Sequence, residues 1–73
     1  MIRNNIVKLN NPMFAIGSIV RTTHVYDFKF GTPTIIGIVM NIDYLKDNQI
    51  YHIEEIDRKR IHQIESGWLE YYE

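Results

Sequence analysis

Cysteine is absent from the 73-residue chain, which excludes a disulfide framework and a thiolate zinc site and makes a reducing interior its natural setting. No apolar run approaches the roughly 20 residues a membrane-spanning helix needs. The opening Met1-Ile2-Arg3-Asn4-Asn5 has neither a following apolar block nor a small-residue cleavage site, so no signal peptide is expected. The expected setting is therefore the cytoplasm, with no membrane partner. A positive field is also missing: eight basic against nine acidic residues leave a net charge of −1, and a nucleic-acid role would have to rest on a local patch. Alanine occurs once, as Ala15, so good helix formers are scarce.

What the chain has instead is branched side chains. Thirteen isoleucines, four valines and four threonines favour strands, where such side chains fit a pleated surface. Frequent Ile, Asn, Lys and Tyr suggest a gene rich in A and T, as in many bacteria and their phages, and a phage protein would act in the host cytoplasm.

Residues 1–13 hold scattered apolar positions and end at Asn10-Asn11-Pro12, a breaker cluster that marks an N-terminal tail or one added strand. Residues 14–73 form a single small domain. After a turn at Gly17-Ser18, the segment Ile19 to Tyr26 is expected as a first strand, and Thr34 to Asp43 as the central one. Strict alternation would group Ile36, Ile38, Met40 and Ile42 on one face and Ile35, Gly37, Val39 and Asn41 on the other, with Ile38 a candidate for the core. Lys46-Asp47-Asn48 turns the chain into a strand from Gln49 to Ile56, and Asp57-Arg58-Lys59 into another from Arg60 to Glu65. Ser66-Gly67-Trp68 reads as a short turn, and Leu69 to Tyr72 as the last strand. Five short strands at this spacing predict an all-β barrel, because closure removes the exposed edges of an open sheet.

The pattern Gly17-Ser18-Ile19-Val20-Arg21 resembles the opening of Src-homology-3-like barrels, including KOW-type and short phage-encoded members. Ile36-Gly37-Ile38-Val39, Tyr51-His52-Ile53 and Ser66-Gly67-Trp68-Leu69-Glu70 resemble their second strand, their third strand and the short helical turn before the last strand. The resemblance spans roughly residues 16–72. It implies a five-stranded barrel with a short helical turn before the last strand. The acidic-aromatic first loop and paired tryptophans of the peptide-binding branch are missing, so proline-rich ligands are not expected.

Catalytic chemistry has little to work with. The two serines, Ser18 and Ser66, sit beside glycine in turns, and Glu54 and Glu55, as strand neighbours, point to opposite faces. No enzyme activity and no cofactor are expected. His24, His52 and His62 lie at spacings that would need three strands to converge on a metal, and no metal site is expected. The basic run Arg58-Lys59-Arg60 with His62 is a candidate phosphate grip, diluted by Glu54, Glu55, Asp57 and Glu65. Tyr26-Asp27-Phe28-Lys29-Phe30 alternates aromatic and charged residues in the loop expected between the first two strands. As an extended row, Tyr26, Phe28 and Phe30 would either plug the barrel or anchor a partner, with Lys29 facing the opposite way, and Trp68 would cap the core or join that interface. The leading expectation is a protein-binding adaptor or regulator, of the kind a phage directs at a host enzyme. The alternatives are a KOW-like module for nucleic acid or ribonucleoprotein, and a minor virion or assembly component that self-associates.

Overall fold

The computed structural model describes residues 13–72; the tail or added strand expected over residues 1–13 therefore lies, except for Met13, outside the described residues. Among the described residues five antiparallel strands form one sheet: β1 (Ile19–Thr22), β2 (Ile36–Tyr44), β3 (Gln49–Glu55), β4 (Ile61–Glu65) and β5 (Leu69–Tyr71). Their order is β4-β3-β2-β1-β5. β2, β3 and β4 form a meander, and the last strand returns to pair with β1, Val20 opposite Tyr71 and Thr22 opposite Leu69. Among the described residues no ladder joins β4 to β5, so the sheet keeps two edges and is not closed by hydrogen bonds.

The first strand is shorter than alternation predicts. β1 stops at Thr22, because Thr23 caps a helix, α1 (His24–Phe30). The Thr23 hydroxyl accepts the amide of Tyr26 at 3.2 Å, satisfying one donor of the first turn. Gly31, at φ 64°, ends the helix in the left-handed conformation that costs glycine little. Asp27 fixes this helix to the sheet. Its two carboxylate oxygens accept the hydroxyls of Thr22 and Thr34, each at 2.6 Å, and Thr22 in turn accepts the amide of Ile35 at 3.0 Å. The segment expected as an extended aromatic loop is thus a seven-residue helix, additional to the single helical turn that sequence implied.

That single turn is present as well: Ser66–Trp68 forms a 3-10 turn leading into β5. Asn48 ties it to the β2–β3 turn. The Asn48 side-chain carbonyl accepts from the Ser66 hydroxyl at 3.1 Å, and its amide donates to Glu65 at 2.8 Å. Ser66 is wholly buried, so its bond to Asn48 is the one that satisfies its hydroxyl.

The core is built from Phe14, Val20, Val39, Tyr51, Ile53, Ile64 and Leu69. Tyr51 also donates shape and polarity together: its ring meets Phe14 edge-on at 5.4 Å, and its hydroxyl accepts the Phe14 amide at 2.9 Å. On β2 the inward residues are Gly37 and Val39, whereas Ile36 and Ile38 are only half-buried on the other face. Ile38 is therefore not the core residue; Val39 is. The grouping of Ile36 through Ile42 on one face also fails, because the register shifts between Val39 and Asn41. Met40 is the extra residue of a bulge, and beyond it Ile42 joins Val39 against the core. Gly37 is demanded by a close approach: a Cβ there would lie 2.5 Å from the carbonyl oxygen of Glu54 and from the Ile53 side chain.

Candidate interaction surface and charged cleft

α1 exposes one side and anchors the other. Tyr26 and Phe30, four residues apart, share a helix face, and their rings meet at 4.6 Å. Both contact Trp68 of the 3-10 turn, at 5.8 Å and 5.9 Å. Tyr26 and Trp68 pack against the core while Phe30 stays half exposed. Three of the four aromatics expected to act together, Tyr26, Phe30 and Trp68, therefore do converge. Phe28 does not. Two residues on from Tyr26 a helix has turned by more than half a revolution, and Phe28 stands 91% exposed, with Val25 one turn before it 65% exposed. The row of Tyr26, Phe28 and Phe30 implied by alternation is replaced by a cluster and an isolated ring. Lys29 is corrected too: its ammonium lies 5.7 Å from the Trp68 ring centroid and 6.0 Å from that of Phe30, on the clustered side, within the range of a cation–π contact.

The basic residues sit elsewhere, on the hairpin between β3 and β4. Arg58, Lys59 and Arg60 are all exposed. Lys59 occupies the left-handed region at φ 61°, and its amide donates to the carbonyl of Glu55 at 2.9 Å, which closes the turn. His62 lies on β4 and turns inward, its Nε2 3.1 Å from Oε1 of Glu55. Arg58 approaches the other carboxylate oxygen, Nη1 to Oε2, at 3.7 Å. His62 is therefore engaged with an acid, whereas the three tip cations stay exposed, Arg58 loosely paired to the same carboxylate. His52 is on the opposite sheet face, 2.7 Å from Asp43, and His24 begins α1; the three histidines occupy three separate places.

Glu55, read from the sequence only as one of the acids that dilute the basic run, is the buried one. Along β3 the residues Tyr51, Ile53 and Glu55 are all buried, so alternation carries a carboxylate onto the inner face, opposite to Glu54. The signal was present in the two-residue period, but a charged residue next to a turn reads as solvated. Glu55 forms the floor of a cleft of about 390 Å³ between the hairpin and the loop Thr32-Pro33-Thr34 that precedes β2. Arg58 and Arg60 stand at its rim. In the loop wall, the Thr32 hydroxyl is buried without a hydrogen-bond partner among the described residues.

No described helix is long and apolar enough to cross a membrane. Comparison with protein-family models, with curated proteins and with solved structures finds no match for this chain.

Proposed function

We propose that this chain is a small Src-homology-3-like barrel that acts as a non-enzymatic protein-binding adaptor or regulator, with the exposed side of α1 as its contact surface. The strand order supports the barrel reading: a three-stranded meander, a 3-10 turn and a final strand returned to β1 resemble that architecture. The observation that carries the binding role is Phe28, 91% exposed on a helix whose other side is pinned by Asp27 and by the Tyr26–Phe30–Trp68 cluster. A large aromatic held rigidly in solvent burdens a monomer and suits an interface, where such rings are the commonest anchors. Val25 extends the apolar strip by one turn.

The test is affinity capture from lysate, with and without nuclease treatment, with the native chain and with Phe28→Ser. The native chain should retain a protein that the variant loses. Capture that depends on nucleic acid and ignores the substitution would overturn the reading in favour of the KOW-like alternative. One observation favours that alternative: Arg58, Lys59 and Arg60 are consecutive, exposed and carried on one tight hairpin. With Asp57 beside them and Glu55 beneath Arg58, they would neutralise few phosphates, and such binding would be weak and strongly salt-dependent.

A further inference from the structure

The cleft beneath the β3–β4 hairpin carries an inference separate from α1. Its floor is a carboxylate that the other described residues satisfy only in part. Glu55 is nine-tenths buried, and an ionised carboxylate offers about four acceptor sites. Among the described residues the side chain receives one hydrogen bond, from His62 to Oε1. Oε2 has among them only the Arg58 guanidinium, at 3.7 Å, beyond hydrogen-bond range. Arg58 itself is loosely held, with 58% of its side chain exposed. In the facing wall the Thr32 hydroxyl is buried beneath the cleft surface, without a hydrogen-bond partner among the described residues. The open position in the cleft is thus an acceptor, Oε2 of Glu55, suited to a donor that carries positive charge.

We propose that this cleft is a binding site for a guanidinium or primary ammonium group, and that Arg58 is an internal stand-in which swings out when such a group is bound. The two cations at the rim do not reverse this preference. Arg58 and Arg60 are exposed, so solvent and salt screen their repulsion, whereas the attraction of Glu55 acts at a buried point where screening is slight. An anion would meet the opposite balance, drawn weakly by the rim and repelled by the floor. Asp57, also lining the cleft, adds a second carboxylate.

The experiment is a titration of the native chain followed by backbone-amide and histidine-ring NMR shifts. Agmatine serves as a free amine, N-acetyl-arginine amide as the model of a partner's side chain, and inorganic phosphate as the anion. Agmatine should shift Glu55 and His62 saturably and phosphate should not. Arg58→Ala should tighten agmatine by roughly two- to fivefold, the competition expected of an exposed ion pair, and Glu55→Gln should abolish the effect. Because Arg58 is largely exposed, its variant keeps the fold even if Glu55→Gln does not. Equal binding of the blocked arginine supports a partner protein's side chain as the source, and selective binding of agmatine supports a small amine. Saturation by phosphate, weaker or unchanged agmatine binding in Arg58→Ala, or no saturation by any probe would overturn the proposal. None of these outcomes depends on Phe28, so the α1 reading stands or falls separately.

Discussion

Replacing Phe28 by serine and, in a separate variant, Phe30 by serine perturbs two rings that lie two residues apart and that the helix sends to different surroundings. Phe28 is 91% exposed. Against the ~1.5–3 kcal/mol gained by burying a whole phenylalanine side chain, its loss costs about 0.1–0.3 kcal/mol. Serine and phenylalanine have similar helix propensities, so the backbone contributes little more. Phe30 is 51% exposed, which puts about 0.7–1.5 kcal/mol at stake from burial alone. Its ring contacts, tilted with Tyr26 and edge-on with Trp68, raise the cost to about 1–3 kcal/mol. In a domain of this size each kcal/mol moves the melting temperature by ~4–8 °C. Thermal denaturation followed by circular dichroism should therefore show Phe28→Ser within about 2 °C of the native chain and Phe30→Ser lower by about 5–20 °C. Equal losses would refute the reasoning, since they would mean that residues 26–30 are extended and that both rings share one face, as simple alternation implied.

Four further substitutions probe the frame that holds these surfaces. Val39→Ala should cost about 1.5–3 kcal/mol and Ile38→Ala clearly less, because Val39 is fully buried and Ile38 is not; urea midpoints in the reverse order would place the β2 faces wrongly. Gly37→Ala should cost about 1–3 kcal/mol as overpacking against β3, given the 2.5 Å approach of the Glu54 carbonyl oxygen, and a neutral result would contradict the close approach. Asp27→Ala should cost about 2–4 kcal/mol, since it removes two hydrogen bonds to a charged acceptor and leaves the O–H of the buried Thr22 without an acceptor; amide exchange should show α1 opening before the sheet.

The strands were legible in the sequence where two signals agreed. Branched residues marked β2, β3 and β4, and Lys46-Asp47-Asn48 and Asp57-Arg58-Lys59 separated them, so their ends fall within a residue or two of expectation. α1 was misread because Tyr26, Phe28 and Phe30 fit a two-residue period, while Tyr26 and Phe30 alone fit the helical one. The deciding features were Thr23 and Gly31, a cap at each end whose meaning depends on Asp27 reaching Thr22 and Thr34. The bulge at Met40 left no local trace, and it inverts the parity of every residue after it on β2. Of the candidate site, the aromatic identities were visible but their meeting was not. Trp68 reaches Tyr26 and Phe30 only because β5 returns to β1 and brings the 3-10 turn beside the helix.

These misreadings share a physical origin, and it bears on the contact surface proposed for so small a domain. A sheet of short strands buries one face and leaves charged and apolar residues mixed on the other, so it has no room for a deep apolar site. What it offers instead is its connections. The β1–β2 connection is stiffened into a helix by two threonine hydroxyls on one carboxylate, and that stiffness lets Phe28 remain in solvent without collapsing onto Trp68. The β3–β4 connection is stiffened by the left-handed Lys59 and by the Glu55–His62 contact, and that holds a buried carboxylate open to a cleft. In both places a polar group is spent on fixing a turn, and the neighbouring side chain that gains nothing for the fold, Phe28 in one and Glu55 Oε2 in the other, is the one left facing outward.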